Sequence, residues 1–439
     1  MNKFLFDESS RREIIKTVIE LAEPVDPIFA AGETPVPVTS KLIGIEEIIS
    51  MVEASLDGWL TTGRFNEKFE QDLSAVFGLN YCRTCNSGSS ANLLAFSALT
   101  SDRLGKRAIK PDDEVICVAA GFPTTVNPII QSGAIPVFID IELNTLNVDC
   151  SLLVGALSEK TKAVMIAHTL GNPFNVNAIK EFCDQHGLWL IEDCCDALGS
   201  TFDGEQVGTV GDLATLSFYP AHHITMGEGG AVLSNSRELI EIVESFRDWG
   251  RDCYCPPGKD NTCGKRFDWR LGDLPEGYDH KYIYSHIGYN LKITDMQASC
   301  GLAQLKKLEN FTAARRRNFQ FLYNELEELS DLFFLPTSHP LGNPSWFGFP
   351  LTIKHHVTVS RRELLEYLNQ AKIGTRLLFA GNITKQPGMK GVRYRVASPL
   401  TQTDHVMENT FWLGVHPALT EDMLRFTSDS LKNYLGIGF

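Results

Sequence analysis

The sequence contains no apolar run that could cross a bilayer, which takes about 20 predominantly hydrophobic residues. It also lacks a basic excess: 40 Lys and Arg stand against 54 Asp and Glu, for a net charge of −14. That balance argues against nucleic acid and against an anionic membrane surface as partners. The opening MNKFLFDESSRR offers only a short apolar run before its charges, so no export signal is expected and the cytoplasm is the expected compartment. No internal repeat or low-complexity segment interrupts the chain. No lysine occurs between Lys180 and Lys259. The eleven cysteines are an odd number, which does not suit a disulfide framework in a large, unexported chain. Cys117 and Cys300 lie in apolar runs and read as core residues.

What is present is a chain of 439 residues, long enough for a sizeable core and two domains. From about residue 85 to 235, short β-rich runs alternate with helical stretches. The expected strands are Glu114–Val118, Ile135–Asp140, Lys162–Ala167, Leu188–Glu192, Ala214–Phe218 and Ala231–Ser234, with helices at Ser89–Leu99 and Val176–His186. Near-continuous apolar strands separated by helices indicate an α/β fold with a mainly parallel sheet covered on both faces. Ligands of such sheets gather at the carboxyl ends of strands, where Asp193 and the run from Ser217 fall. Residues 252–285 break the rhythm, being rich in Gly, Pro, Asp and Cys without a period. Such an insert is usually functional or disordered. A helical stretch at Thr294–Leu329 leads into a C-terminal part with an expected strand at Trp346–Ile353 and a helix at Arg361–Gln370.

Several motifs follow one another in a telling order. NSGSSANLL, from Asn86 to Leu94, places small residues before a helix start, where free N–H groups attract an anion. GFPTTVNPI presents Phe122, and LWLIEDCCDALGS puts Asp193 at a strand end. SFYPAHHITMGEGG runs from Ser217 to Gly230, and GYNLKITDMQA contains Asn290. Together these resemble the DegT/DnrJ/EryC1-type sugar aminotransferases over roughly residues 58–308. The resemblance implies a pyridoxal-phosphate-dependent transferase-like fold (aspartate aminotransferase type I) with a smaller C-terminal α+β domain. The expected division is a helical arm over 1–40, a large cofactor domain over 41–308 that includes the insert 252–285, and a small domain over 309–439.

It also implies site roles. Gly88, Ser89 and Ser217 would contact the cofactor phosphate, Phe122 would stack on the pyridine ring, and Asp193 would keep the ring nitrogen protonated, since an opposite charge favours the charged form. Asn290 would reach the phosphate of a neighbouring subunit, which makes the expected assembly a homodimer. Trp59, Arg64 and Phe347 are candidate neighbours of the sugar.

The resemblance also exposes a substitution. The family places its cofactor-tethering lysine where this chain has His222, and an imidazole has no pair of protons to lose in forming a stable Schiff base. Noncovalent holding suits pyridoxamine 5′-phosphate (PMP) rather than the aldehyde form, PLP. Histidine is largely neutral near pH 7 and can serve as a base. The expectation is that His222 removes a proton at C4′ and that a hydroxyl β to the substrate carbonyl leaves, giving dehydration in place of transamination. His223 competes for that role.

Cys253, Cys255 and Cys263 sit in the insert, and Cys195 precedes Cys253 by 57 intervening residues. This layout resembles the iron–sulfur dehydratase branch of the same family. That implies a [2Fe–2S] cluster on Cys195, Cys253, Cys255 and Cys263, a flavin/NADH iron–sulfur reductase as electron source, and CDP-4-keto-6-deoxy-D-glucose as substrate in 3,6-dideoxysugar synthesis. Four thiolates suit such a cluster, and they also suit zinc; Cys194 is an alternative to Cys195. Two rival readings remain: a cluster-free dehydratase that regenerates its amine from glutamate, and a non-catalytic nucleotide-sugar-binding relative.

Overall fold

In a computed structural model of the chain, which describes residues 6–23, 28–255 and 257–437, the expected sheet is present and larger than its sequence signals. It has eight strands in the spatial order Tyr81–Cys85, Gly230–Ser234, Leu213–Ser217, Trp189–Asp193, Thr161–Ala167, Glu114–Val118, Ile135–Ile139 and Arg395–Val396. All run parallel except Gly230–Ser234, which pairs antiparallel with both neighbours. The central strands Glu114–Val118, Trp189–Asp193 and Leu213–Ser217 are buried along their whole length, the pattern of a sheet covered on both faces.

Two apolar cores form, one on each face. One joins Phe69, Leu73, Ile116, Val164, Leu190 and Phe218; the other joins Leu94, Phe96, Val115, Phe138, Ile191 and Leu239. The rings of Phe69 and Phe218 meet edge to face at 5.3 Å, which fixes the backbone beyond Ser217. Cys117 and Cys300 are buried, as expected of core thiols. Helix ends follow their sequence signals. Ser87 caps Gly88–Leu99 by accepting from the Ser90 N–H, and Gly187, at φ 65°, ends Val176–His186 in the left-handed conformation that glycine adopts without a steric penalty.

The expected helical stretch after residue 294 is two helices, Asp295–Leu305 and Leu308–Leu326. A second sheet of four strands follows, in the order Phe333–Phe334, Gly348–Ile353, Thr410–Gly414 and Arg376–Leu377, all antiparallel. Its own core contains Phe319, Leu322, Phe349, Phe411 and Leu431. The C-terminal part is nevertheless stitched into the first sheet. Arg395–Val396 pairs with Ile135–Ile139 at its edge, and the Arg395 guanidinium donates to both carboxylate oxygens of Glu114 at 3.0 and 2.7 Å.

Because Gly230–Ser234 alone is reversed, the carboxyl ends of Tyr81–Cys85, Glu114–Val118, Trp189–Asp193 and Leu213–Ser217 all open on one edge. That edge carries the turn at Gly88, the segment with Phe122, the Asp193 strand end and the loop with His222. Among the described residues no helix is long and apolar enough to cross a membrane.

Candidate active site

Asp193 is the centre of the site. It is buried, and its carboxylate accepts from Asn92 Nδ2 at 2.8 Å, Thr125 Oγ1 at 2.7 Å and the Cys195 N–H at 3.1 Å. Thr215 Oγ1 donates to Asn92 Oδ1 at 2.6 Å, so a second layer of polar groups orients the first. Among the described residues no cation pairs with Asp193. A buried carboxylate surrounded only by neutral donors is costly unless a charge comes to meet it. The protonated nitrogen of a pyridine ring is such a charge. Phe122 caps the helix Pro123–Gln131 one turn before Thr125. Its ring is half-exposed and therefore available to a planar ligand.

The turn at Gly88 shows the same fit. A Cβ on Gly88 would lie 2.4 Å from Ser217 Cβ and 2.8 Å from Ser217 Oγ, so only glycine lets the two segments approach. Gly88 and Ser89 open the helix Gly88–Leu99, and their N–H groups belong to the first turn, which has no intrahelical acceptors for them. Small residues, a helix start and a hydroxyl in one place suit a phosphate. Asn290 is exposed and follows the phosphate turn closely in space, since the Asn86 N–H donates to the Leu291 carbonyl at 2.8 Å.

His222 and His223 separate clearly. His223 is buried and its Nε2 donates to the Ser345 carbonyl at 2.7 Å; burial first, and the nearby Arg315 charge second, push its pKa well below the ordinary histidine value. It is a neutral structural residue. The His222 side chain keeps 16% of its exposure, with Nδ1 3.2 Å from Asp196 Oδ1 and its ring 5.2 Å from that of Phe347. Its carbonyl accepts from Arg315 at 3.3 Å. The geometry at Nδ1 falls short of a formed hydrogen bond. Asp196 is a residue that the sequence reading missed, because its nearness to His222 arises only in the folded chain. Asn92 and Thr125 were missed too, because nothing in their local pattern separates an inward-facing polar group from a capping one.

Trp59 and Arg64 are occupied otherwise: Trp59 Nε1 donates to the Thr62 carbonyl at 2.9 Å and Arg64 pairs with Asp57 at 2.7 Å. Phe347 is buried beside both histidines.

The insert is built rather than structureless. Arg266 donates twice to Asp279, at 2.9 and 2.6 Å, and Lys281 pairs with Asp260. These pairs gather the ligating atoms of Cys253, Cys255 and His280 within 4.8 Å of one another. Cys263 Sγ lies 3.3 Å from His280 Nε2. Burial raises the Cys253 thiol to about 11; Cys255, despite the opposing effect of its burial, is lowered by hydrogen bonds from Thr262, whose hydroxyl lies at 3.1 Å. Such a donor set fits a metal centre. Cys195 stands apart from that gathering, beside Gly88 and Asp193, where burial first and the Asp193 charge second push its thiol well up. Cys194, the alternative, is fully buried in a group with His168 and Glu192. There Glu192 already accepts from His168 and from the N–H groups of Gly208, Val210 and Gly211, so that group is a satisfied structural network.

The model of the DegT/DnrJ/EryC1/StrS aminotransferase family matches residues 43–431. The chain is 57% identical over 431 residues to the lipopolysaccharide biosynthesis protein RfbH of Salmonella typhimurium, covering 98% of this chain and 99% of that protein. It is 50% identical over 413 residues to dTDP-4-dehydro-2,6-dideoxy-D-glucose 3-dehydratase of Saccharopolyspora spinosa, covering 94% and 89%. A solved structure of GDP-4-keto-6-deoxymannose-3-dehydratase with a trapped PLP–glutamate geminal diamine superposes with a TM-score of 0.81 at 28% identity, over 90% of this chain and 100% of that one.

Proposed function

The chain belongs to the DegT/DnrJ/EryC1/StrS aminotransferase family, and from that footing we propose how its altered site works. It is a pyridoxamine/pyridoxal-phosphate-dependent 3-dehydratase of a nucleotide-linked sugar in deoxysugar synthesis. The observation that carries the residue assignments is the conjunction of a buried Asp193 without a cation and an imidazole at position 222.

When bound, the cofactor supplies an amine that condenses with a ketone and a ring that takes up the electrons released at C4′. Gly88, Ser89 and Ser217 hold its phosphate, and Asn290 of the partner subunit completes that grip in a homodimer. Phe122 covers the ring, and Asp193 keeps its nitrogen protonated. With Nδ1–H turned toward Asp196, the lone pair of His222 lies on Nε2. That nitrogen removes the proton at C4′ and hands it to the hydroxyl leaving C3, so one side chain serves as base and then as acid.

The finer reading concerns substrate and electrons. Two of the relatives are named for dTDP- and GDP-linked sugars; for this chain we propose CDP-4-keto-6-deoxy-D-glucose, on the strength of the cysteine layout. Cys253, Cys255 and Cys263, with Cys195 as fourth ligand, would hold a [2Fe–2S] cluster, which would supply single-electron transfer from a flavin/NADH reductase. The gathering of Cys253 and Cys255 with His280 in a braced loop, and the approach of Cys263 to that histidine, support this. The competing reading, regeneration of the amine from glutamate without a cluster, is favoured by the glutamate adduct trapped in the GDP-sugar enzyme. Anaerobic purification followed by iron and acid-labile sulfide analysis separates the two. Turnover of CDP-, dTDP- and GDP-linked 4-keto sugars with added PMP, read as loss of the C3 hydroxyl, tests the substrate. A chain that loads no iron and turns over only when glutamate is supplied rejects the cluster; preference for another nucleotide rejects CDP.

A further inference from the structure

His280 belongs to no motif that the proposed chemistry uses, yet the insert is arranged around it. It is 1% exposed. Its ring lies flat against Trp269, with centroids 4.5 Å apart and planes 26° from parallel. Its backbone N–H donates to the Arg266 carbonyl at 2.9 Å, and the neighbouring Asp279 takes the Arg266 guanidinium. The segments around Arg266 and Asp279 are thus clasped together beside the ring. Its Nε2 meets Cys263 Sγ at 3.3 Å, while its Nδ1 has no partner. Holding a buried imidazole with one nitrogen unsatisfied is costly, and a stack plus an ion pair spent on orienting it implies that the orientation matters.

We propose that His280 is a positioning residue of the loop's metal centre, donating Nε2–H to the sulfur of Cys263. The proposal rests on the reading of Cys253, Cys255 and Cys263 as metal ligands. A metal-bound cysteine sulfur accepts hydrogen bonds, so in this pair the ring nitrogen is the donor. Second-sphere donors of this kind fix a ligand's orientation, and hydrogen bonds to cluster sulfurs help to set reduction potentials. Reduction places more negative charge on the sulfurs, so an N–H aimed at one of them favours the reduced state. The bond also ties Cys263 to the Arg266–Asp279 clasp, holding the last of the loop's three thiols in place.

The test is anaerobic reconstitution of the full chain with ferrous iron and sulfide, comparing wild type, His280→Leu, His280→Gln and Cys195→Ser. Iron and sulfide content, the electron paramagnetic resonance spectrum of the reduced state and the midpoint potential are the readouts. The expected result is that His280→Leu retains iron but becomes harder to reduce, by about tenfold in the one-electron equilibrium constant, or about 59 mV. His280→Gln, which keeps an N–H, should recover most of that loss. An iron-loaded His280→Leu protein with wild-type potential and spectrum overturns the hydrogen bond. A folded His280→Leu protein that binds no iron while Cys195→Ser binds it normally also overturns it, by making the ring a ligand. Wild-type protein that takes up no iron rejects the underlying metal reading, a failure distinct from either of these.

Discussion

At the scale of single residues, the proposed chemistry turns on which nitrogen of which histidine is free. His222→Asn keeps a polar side chain and removes the base. It should leave PMP affinity nearly unchanged while slowing C4′ proton exchange by at least about a hundredfold; tritium or deuterium wash-out from C4′ measures it. Asp196→Asn tests the orienting carboxylate. Proton exchange should fall while PMP affinity holds, and an unchanged exchange rate would remove Asp196 from the mechanism. The identity of residue 222 was legible in the sequence because SFYPAHHITMGEGG fixes its place by the glycines and serine around it. Burial separates the two: His223 spends its Nε2 on the Ser345 carbonyl, which favours 222 for the proposed role. Asp196 was not legible as a partner: two residues separated by a strand crossing and a loop meet only in the folded chain.

At the scale of elements, the turn at Gly88 proposed to hold the phosphate is the most exacting feature. Gly88→Ala would drive a methyl group into Ser217 Cβ at 2.4 Å, and Ser217, paired with Gly230 at its strand end, cannot retreat without breaking sheet pairing. The expected outcome is a large loss of PMP affinity, tenfold or more by spectroscopic titration, with little change in helix content. Strands with continuous apolar runs were readable from sequence to within a residue or two, Glu114–Val118 and the helix Val176–His186 among them. Tyr81–Cys85 escaped notice because its alternating burial mixes Arg83 and Thr84 with cysteines, giving no apolar run to find. The insert escaped for a different reason. Its order comes from ion pairs between residues such as Arg266 and Asp279, and composition records charges without recording who meets whom.

At the scale of the whole molecule, two measurements probe how the parts depend on one another. His416, in the C-terminal part, is held at about 4 by burial first, against the hydrogen bond it donates to the Pro37 carbonyl at 2.9 Å. Its folded value lies below its unfolded value near 6.5, so the folded chain binds fewer protons. The stability it contributes is complete above pH ~6.5 and is lost as the pH falls toward 4, by about 2 kcal/mol at pH 5. Urea unfolding at pH 7 and pH 5 should show that loss, and His416→Gln should shrink it. Cys253→Ala should spare the dehydration step while stopping electron delivery from a reductase; unimpaired delivery would show that this thiol is not a ligand. The strand Arg395–Val396 has a consequence of another kind. It completes the edge of a sheet whose other seven strands lie before residue 235, so a growing chain carries Ile135–Ile139 with its outer backbone groups unmatched until residue 396 has been made. Unpaired strand edges invite association with other chains, and for this protein the period of risk lasts through most of its synthesis on the ribosome.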